Sequence, residues 1–274
     1  MPELIFLKLG GSLLTDKTQP QALRRDVLTR LAAEVAAALA DRPDLRLLIG
    51  HGSGSFGHMA ARKHNTRAGV ASAAGWRGYA ETARAAARLN RLVVDALWEA
   101  GVPALAIQPS ASAQCRDGEL LALAERPVRV ALAQGLAPVL YGDVALDSVR
   151  GGTIISTEEI FAWLAPRLMP QRVILVGEVA GVLSADPASG VAGELIPEIT
   201  PATLPDLAQA LGGSRGVDVT GGMVAKVAEM LALAQAVPTL AAIQIISGLV
   251  PGLARAVLAD PDLRAGTRIT AAPR

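Results

Sequence analysis

Short apolar runs at 4–9, 45–49, 104–108, 138–141, 172–176 and 242–246 recur along the chain, too far apart to be joined as hairpins. Between them the periodicity changes. Leu23, Val27, Leu31, Val35 and Leu39 recur at helical spacing, and residues 76–100 form a long Ala-rich stretch ended by Gly101-Val102-Pro103. A strand buried on both faces reads as a continuous apolar run, and parallel neighbours need a crossover. The alternation therefore implies an α/β fold with a largely parallel sheet covered on both faces. The rhythm breaks once. Residues 144–146 and 153–155 flank Asp147-Ser148-Val149-Arg150-Gly151-Gly152 and read as a hairpin, followed by a helix over 157–168. Beyond 176, residues 184–200 read as a surface loop, 203–211 as a helix and 212–216 as a flexible connection. Residues 221–236 and 253–258 read as helices, and 267–270 as a closing edge strand.

The 274 residues suffice for one large α/β domain or two small ones. Apolar residues make up 51% but aromatics only 3%, so the core must be aliphatic. A formal net charge of +1 gives no argument for nucleic acid or a membrane surface as partner. The single cysteine, Cys115, excludes an internal disulfide and a Cys-based metal cluster and fits a reducing compartment. Met1-Pro2-Glu3 lacks a basic leader region and Lys8 interrupts the first apolar run, so a cytoplasmic location is expected. Residues 230–254 carry no charge and are long enough to span a bilayer. Pro238, Gly248 and Pro251 interrupt them, and helix, turn, buried strand, turn is the better reading.

The chemistry-bearing residues gather at strand ends. Lys8-Leu9-Gly10-Gly11-Ser12 ends the first strand. A lysine in an apolar strand is costly unless it meets an anion, and ligands of open α/β sheets bind at the C-terminal strand ends. The lesser alternative for Lys8 alone is a strand-edge lysine with its head in water. Lys17 follows within reach of the same place, though a solvated loop lysine is the ordinary case. Gly50-His51-Gly52-Ser53-Gly54-Ser55-Phe56-Gly57-His58 follows the second run. Its Gly52-x-Gly54-x-x-Gly57 matches a dinucleotide fingerprint but follows the wrong strand, lacks an acidic ribose anchor about 20 residues on, and carries His58. A loop for a reacting phosphate fits better, with His58 near a helix start whose dipole favours an anion. His51 reads as a structural hydrogen-bonder and His64 as a surface residue.

Tyr141-Gly142-Asp143 ends another strand, where Asp143 is either a turn former or part of the site. Ser156 or Thr157 caps the helix that follows, and the acids suit its dipole. That accounts for Glu158; Glu159 is the carboxylate expected to hold lysines in place. Asp218-Val219-Thr220-Gly221-Gly222 opens a helix whose Lys226 stands one turn up, beside N–H groups that suit a phosphoryl group. No Gly-x-x-x-x-Gly-Lys-Ser/Thr P-loop is present, so a nucleotide must be held by dispersed lysines and glycine turns.

In this order, Lys8-x-Gly10-Gly11-Ser12, the glycine loop, Gly142-Asp143, the hairpin and Gly221-Gly222-x-x-x-Lys226 resemble the amino acid kinase family over almost the whole chain. The histidine-ended loop with Tyr141-Gly142-Asp143-Val144 is similar to the isopentenyl phosphate kinase branch. The resemblance implies a single domain over 1–274, a three-layer αβα sandwich with a central, mostly parallel open sheet. Residues to about 170 take the acceptor, and 171–274 take the nucleotide. It further implies ATP, Mg²⁺ carried by the nucleotide, a prenyl monophosphate acceptor and a homodimer. Lys8, Lys17 and Lys226 would stabilise the transferring phosphoryl group. Gly10, Gly11, Ser12, Gly54, Gly177 and Gly222 would meet ATP. Ser53, Gly54, His58 and Gly142, with Asp143, would grip the acceptor phosphate. Trp76, Tyr79, Ile154 and Ile155 are placed around its apolar tail.

Two departures from the family pattern stand out. Ser156-Thr157-Glu158-Glu159 replaces the usual Ser-Gly-Asp-Asp, and Gly177-Glu178-Val179-Ala180-Gly181-Val182-Leu183 replaces Gly-Asp-Val-Asp-Gly-Val-Tyr. They leave room for two other readings: a kinase for a phosphonate such as fosfomycin, and a nucleotide-binding regulator that has lost catalysis.

Overall fold

The computed structural model describes residues 2–185, 193–205, 207 and 222–271. In chain order its elements are β1 (Leu4–Leu9), α1 (Gly11–Leu14), the small hairpin β2–β3 (Thr15–Asp16, Ala22–Leu23), α2 (Arg25–Asp41), β4 (Arg46–His51), α3 (Gly54–His64) and α4 (Ala73–Glu99). There follow β5 (Ala104–Ala106), the hairpin β6–β7 (Gln114–Arg116, Glu119–Ala122), α5 (Arg126–Ala133), β8 (Ala137–Tyr141), the hairpin β9–β10 (Asp143–Asp147, Gly151–Ile155) and α6 (Thr157–Leu168). The last are β11 (Arg172–Gly177), β12 (Glu198–Ile199), α7 (Gly222–Ala236), β13 (Ala242–Ser247), α8 (Leu253–Ala259) and β14 (Thr267–Ile269).

The central sheet runs β12-β14-β13-β11-β1-β4-β8-β5 and is parallel except where β13 meets β14. Alternation along β1 divides the core in two. Ile5, Leu7 and Leu9 face the cluster that holds Leu31 and Val35 of α2, Leu89 and Val93 of α4 and Val257 of α8. Phe6 faces the cluster of Val128 on α5, Phe161 and Leu164 on α6 and Val227 on α7, with its ring 5.0 Å from that of Phe161. Lys8 shares the Phe6 face, so the same register that buries Phe6 directs Lys8 toward α6. From β1 the chain builds the sheet outward through β4, then returns with β11 on the opposite side of β1. That reversal makes the C-terminal ends of β1, β4 and β11 the place where an open α/β sheet takes its ligand.

Several elements differ from the sequence reading, among them the β2–β3 hairpin, which takes Leu23 out of the expected helix. β14 is not the edge strand: Glu198–Ile199, inside the stretch read as a loop, pairs outside it. The hairpin β6–β7 and helix α5 were not foreseen. The turn of that hairpin carries φ 52° at Asp117 and 86° at Gly118, the paired left-handed values that an Asp-Gly turn supplies. Of the helix expected over 203–211, residues 204, 205 and 207 are helical. Residues 208–221, which include the expected connection and Asp218–Gly221, lie outside the described residues, as do 186–192 of the expected surface loop. The uncharged stretch 230–254 becomes the end of α7, β13 and the start of α8. No helix among the described residues is long and apolar enough to cross a membrane.

The hairpins of the second, four-stranded sheet are held together by one carboxylate. Asp147 accepts N–H hydrogen bonds from Asp117 (3.0 Å), Gly118 (2.7 Å), Val149 (2.9 Å) and Arg150 (2.8 Å). Burial pushes its pKa up, but these donors outweigh that and bring it from 3.8 to about 2. A depressed carboxylate contributes stability that is complete above its unfolded pKa and disappears as pH falls toward the folded one. We expect Asp147→Asn to lower unfolding free energy by about 2 kcal/mol at neutral pH. It should also flatten the acid-side loss of stability between about pH 4 and pH 2, read by denaturant melts across that range. Equal acid sensitivity in both proteins would refute this role.

Candidate active site

The loops after β1 and β4 touch backbone to backbone. A Cβ on Gly11 would lie 2.6 Å from the Gly54 nitrogen, and one on Gly52 would lie 2.9 Å from the Gly11 nitrogen. Gly54 also has φ +50°, and a Cβ there would meet Thr15 Oγ1 at 2.3 Å. Thr15 fastens the junction: its hydroxyl donates to the Gly11 carbonyl (2.7 Å) and accepts from the Ser55 N–H (2.8 Å). Gly10 donates to the Val176 carbonyl (2.8 Å), which brings the end of β11, with Gly177, against the first loop.

β4 continues to His51, two residues beyond the sequence reading, because His51 is fully buried and satisfied. Asn90 of α4 donates to His51 Nε2 (3.1 Å), which fixes the proton on Nδ1, 3.0 Å from the Gly52 carbonyl. The ring stacks on Tyr141 at 5.5 Å, and burial drops its pKa to about 4, so it stays neutral. The His51 carbonyl accepts from Thr157 Oγ1 (2.7 Å) and the Gly142 N–H (3.1 Å), tying the ends of β4 and β8 to α6.

α3 starts at Gly54 with Ser53 as its cap residue, and the Ser53 hydroxyl makes no capping hydrogen bond. His58 is one turn further on and exposed. Desolvation lowers its pKa, followed by the charges of Lys17 and Lys8; Glu158 opposes them and Lys226 lowers it further. Lys17, on the β2–β3 hairpin, and Lys226, on the second turn of α7, therefore lie close enough to Lys8 and α3 to share one field. Ser12 lies half-buried in α1, beside the Gly10–Gly11 turn. Gly222 is the first residue of α7.

The lysine-holding carboxylate is Glu158, not Glu159. Lys8 Nζ forms an ion pair with Glu158 Oε1. Burial alone would raise the Glu158 pKa, but the charge and hydrogen bond of Lys8, with Lys226 behind them, hold it below the usual range. Glu159 is used locally. Ser156 and Glu159 form a reciprocal capping box, with Glu159 N donating to Ser156 Oγ (3.1 Å) and Ser156 N donating to Glu159 Oε2 (2.5 Å). Its other oxygen faces Arg67 at 3.3 Å. Helix phase decides the matter: the N3 position of a capped helix folds back on the backbone, which leaves N2 free to point at β1.

Asp143 braces the end of β8 from within the fold. Its carboxylate is buried, accepts from Ser110 N (3.1 Å) and Val144 N (2.8 Å) and is hydrogen-bonded to Tyr141. Desolvation raises its pKa against those bonds. Of the apolar candidates, Trp76 and Tyr79 lie together, ring centroids 5.3 Å apart, and Ile154 is half-buried. Ile155 is fully buried in the core and lines nothing. Gly152 makes room for Tyr79 and Val70: a Cβ there would stand 2.8 Å from Tyr79 Cδ2 and 3.2 Å from Val70 Cγ2. Burial first, then Asp143 and Cys115, raises the Tyr79 pKa to about 12. His64 is not a free surface residue; it pairs with Glu81 at 2.8 Å. Thr15, Asn90 and Val70 were missed by the sequence reading, because a buried hydroxyl, amide or isopropyl group carries no motif, and Thr157, read as a possible cap, instead donates to the His51 carbonyl. No group of three or more His, Cys, Asp or Glu arranged to hold a metal occurs among the described residues.

The arrangement has relatives. A family model described as "Amino acid kinase family" matches residues 3–243. The isopentenyl phosphate kinase of Methanothermobacter thermautotrophicus is 38% identical over 97% of this chain and 99% of its own length. That of Haloferax volcanii is 44% identical over 84% of this chain and 88% of its own. An X-ray structure of isopentenyl phosphate kinase superposes with a TM-score of 0.81 at 34% identity, covering 98% of this chain and all of the other. With a family model over residues 3–243 and relatives 38% and 44% identical over most of its length, the chain belongs to the amino acid kinase family.

Proposed function

We propose that this chain transfers the γ-phosphoryl group of ATP to isopentenyl phosphate, giving isopentenyl diphosphate and ADP. What supports the reading is that Lys8, Lys17 and Lys226 act electrostatically on His58, at the end of the sheet where two glycine loops meet, with Glu158 paired to Lys8. That is a site for two polyanions at once, and the curated relatives carry this activity in their names.

An acceptor phosphate already bears a nucleophilic oxygen near neutral pH, so no general base is required. The reaction is an in-line displacement: an acceptor oxygen bonds to the γ-phosphorus as the bond to the β-phosphate oxygen breaks, and the pair leaves on ADP. Catalysis then reduces to alignment and charge neutralisation. In this reading Gly10, Gly11 and Ser12 with Gly177 and Gly222 border the ATP phosphates. Lys8, Lys17 and Lys226 offset the charge of the transferring group. Gly54, at the loop junction, is shared by both sides. Ser53, whose hydroxyl is not spent on capping, His58 and the Gly142 backbone hold the acceptor phosphate. Its tail lies toward Val70, Trp76 and Tyr79. Mg²⁺ comes in with the nucleotide phosphates and supplies further positive charge. We further propose a homodimer, as the family resemblance implies, and a reducing cytoplasmic setting, which suits the buried free thiol of Cys115.

Purified protein with Mg-ATP should release ADP with isopentenyl phosphate and not with fosfomycin; ADP from fosfomycin alone would replace this reading with the phosphonate one, and none from either would end it. His58→Ala removes a hydrogen bond to a charged acceptor and should cut kcat/KM for isopentenyl phosphate by about 10- to 100-fold while ATP affinity, measured by calorimetry, stays near wild type. Matching losses of both would move His58 off the acceptor side. Glu158→Gln should reduce kcat by about 100-fold and also lower Tm, since it leaves Lys8 without its carboxylate, whereas Glu159→Ala should lower Tm through a lost capping-box bond worth about 1 kcal/mol and leave kcat near wild type. The reverse ranking would restore Glu159 to the lysine-holding role.

A further inference from the structure

Lys17 is carried by a hairpin that cannot hold its own shape. β2 and β3 have two residues each, paired Thr15 with Leu23 and Asp16 with Ala22. An isolated ribbon of that size is not stable in water. Its tip is also strained, since Gln21 takes φ 54° without being glycine. The place of Lys17 is therefore set by whatever ties the ribbon down.

The structure has three ties. Thr15 anchors the first strand to the glycine junction. At the tip, Gln21 Oε1 accepts from Arg88 Nη1 of α4 (2.7 Å). At the base of the second strand, Arg24 donates its N–H to the Leu14 carbonyl (2.8 Å), and its Nη1 lies 2.7 Å from Glu178 Oε1. This third tie differs in kind. Glu178 directly follows β11, so it belongs to the side proposed to take the nucleotide, across β1 from the glycine loop of β4. Its own backbone is fixed to the end of β13: the Gly248 N–H donates to the Gly177 carbonyl (2.7 Å) and Ser247 Oγ to the Glu178 carbonyl (3.4 Å). Arg24 and Glu178 thus bridge the lysine-bearing ribbon to the loop that borders the other substrate.

We propose that Arg24 and Glu178 are positioning residues: their ion pair latches the β2–β3 ribbon across the cleft and sets the reach of Lys17 to the transferring phosphoryl group. The inference rests on the phosphoryl-transfer reading above. Both side chains are about one-third exposed, 35% and 34%, so the pair adds little to folding stability. Its consequence is kinetic. A ribbon freed at its base lets Lys17 wander, and misplacing a charge by about 1 Å is enough to slow a transfer that depends on alignment.

The test compares Arg24→Gln, Glu178→Gln, the conservative Arg24→Lys and the swapped pair Arg24→Glu with Glu178→Arg. Each is measured for kcat with isopentenyl phosphate, ATP affinity by calorimetry, and Tm. We expect kcat to fall about tenfold in both Gln variants with ATP affinity and Tm close to wild type. Arg24→Lys and the swapped pair should recover most of the loss. Arg88→Gln, which frees the other end of the ribbon, should lower kcat in the same way. Unchanged kcat in the two Gln variants overturns the latch. A swapped pair as slow as the single variants overturns the ion pair as its cause, and losses of Tm in step with kcat reduce it to a structural contact. If wild-type protein releases no ADP with isopentenyl phosphate, the underlying reading fails instead.

Discussion

The contact between Gly11 and the Gly52–Gly54 turn is the constraint on which the rest of the site depends. Two strand-to-helix turns meet there with no side chain between them, and a methyl group on any of the three would force the backbones apart. The glycines of the second loop attract attention as room for a ligand. Their first use is to make room for each other. That closeness has a functional corollary in the proposed reaction, because nucleotide phosphates over the first loop and an acceptor phosphate over the second then face one another at bonding range. Two phosphates do not approach so closely in water; in this reading the backbone junction sets their spacing and the lysines offset their repulsion.

A junction of this kind also decides what the helices around it must supply. Lys8 ends on the α6 side of the sheet because β1 alternates and Phe6 must reach the Phe161 cluster. Its charge is tolerable among apolar neighbours only with a carboxylate at hand. Glu158 provides it from the first turn of α6, where the helix dipole also favours an anion. His51 serves the same end by different means. Neutral, buried and stacked on Tyr141, it hands a hydrogen bond to the Gly52 carbonyl and so stiffens the glycine turn from within the sheet.

Much of this was legible in the sequence, for identifiable reasons. The strands of the central sheet announce themselves because burial on both faces leaves continuous apolar runs, and 172–176 and 242–246 differ from the observed strands by a residue at one end. Lys8, Lys226 and His58 were recognisable because a charge inside or beside an apolar pattern needs a reason. Short elements were not: β12 has two residues, and the hairpin β6–β7 hides in strands of three and four residues whose Asp117-Gly118 turn was the only signal. The choice between Glu158 and Glu159 lay beyond composition, since both are acids in the first turn of one helix. A closer reading was available. Ser156 followed at the third position by Glu159 is a capping-box pattern, and assigning Glu159 to the cap leaves Glu158 for the strand lysine. Thr15, Asn90 and Arg24 act through contacts 39 to 154 residues away in sequence, which no local pattern encodes.

The charge balance of the cleft explains why one carboxylate, and not two, belongs there. Desolvation first, then the charges of Lys17, Lys8 and Lys226, depress the His58 pKa, and both effects oppose further positive charge there. Such a site favours a ligand that brings negative charge, and it favours most the transition state in which that charge is spread over the transferring group. Glu158 lowers the cost of holding Lys8 in the strand while the cleft is empty, but each carboxylate added beyond it would cancel attraction that the phosphates need. Glu159 is kept out of this balance by its two other uses, a backbone N–H on one oxygen and Arg67 on the other. The Glu-Glu pair in this chain is thus divided by helix geometry: the acid that folds back on the cap stabilises the helix, and the acid that points to β1 sets the charge of the site.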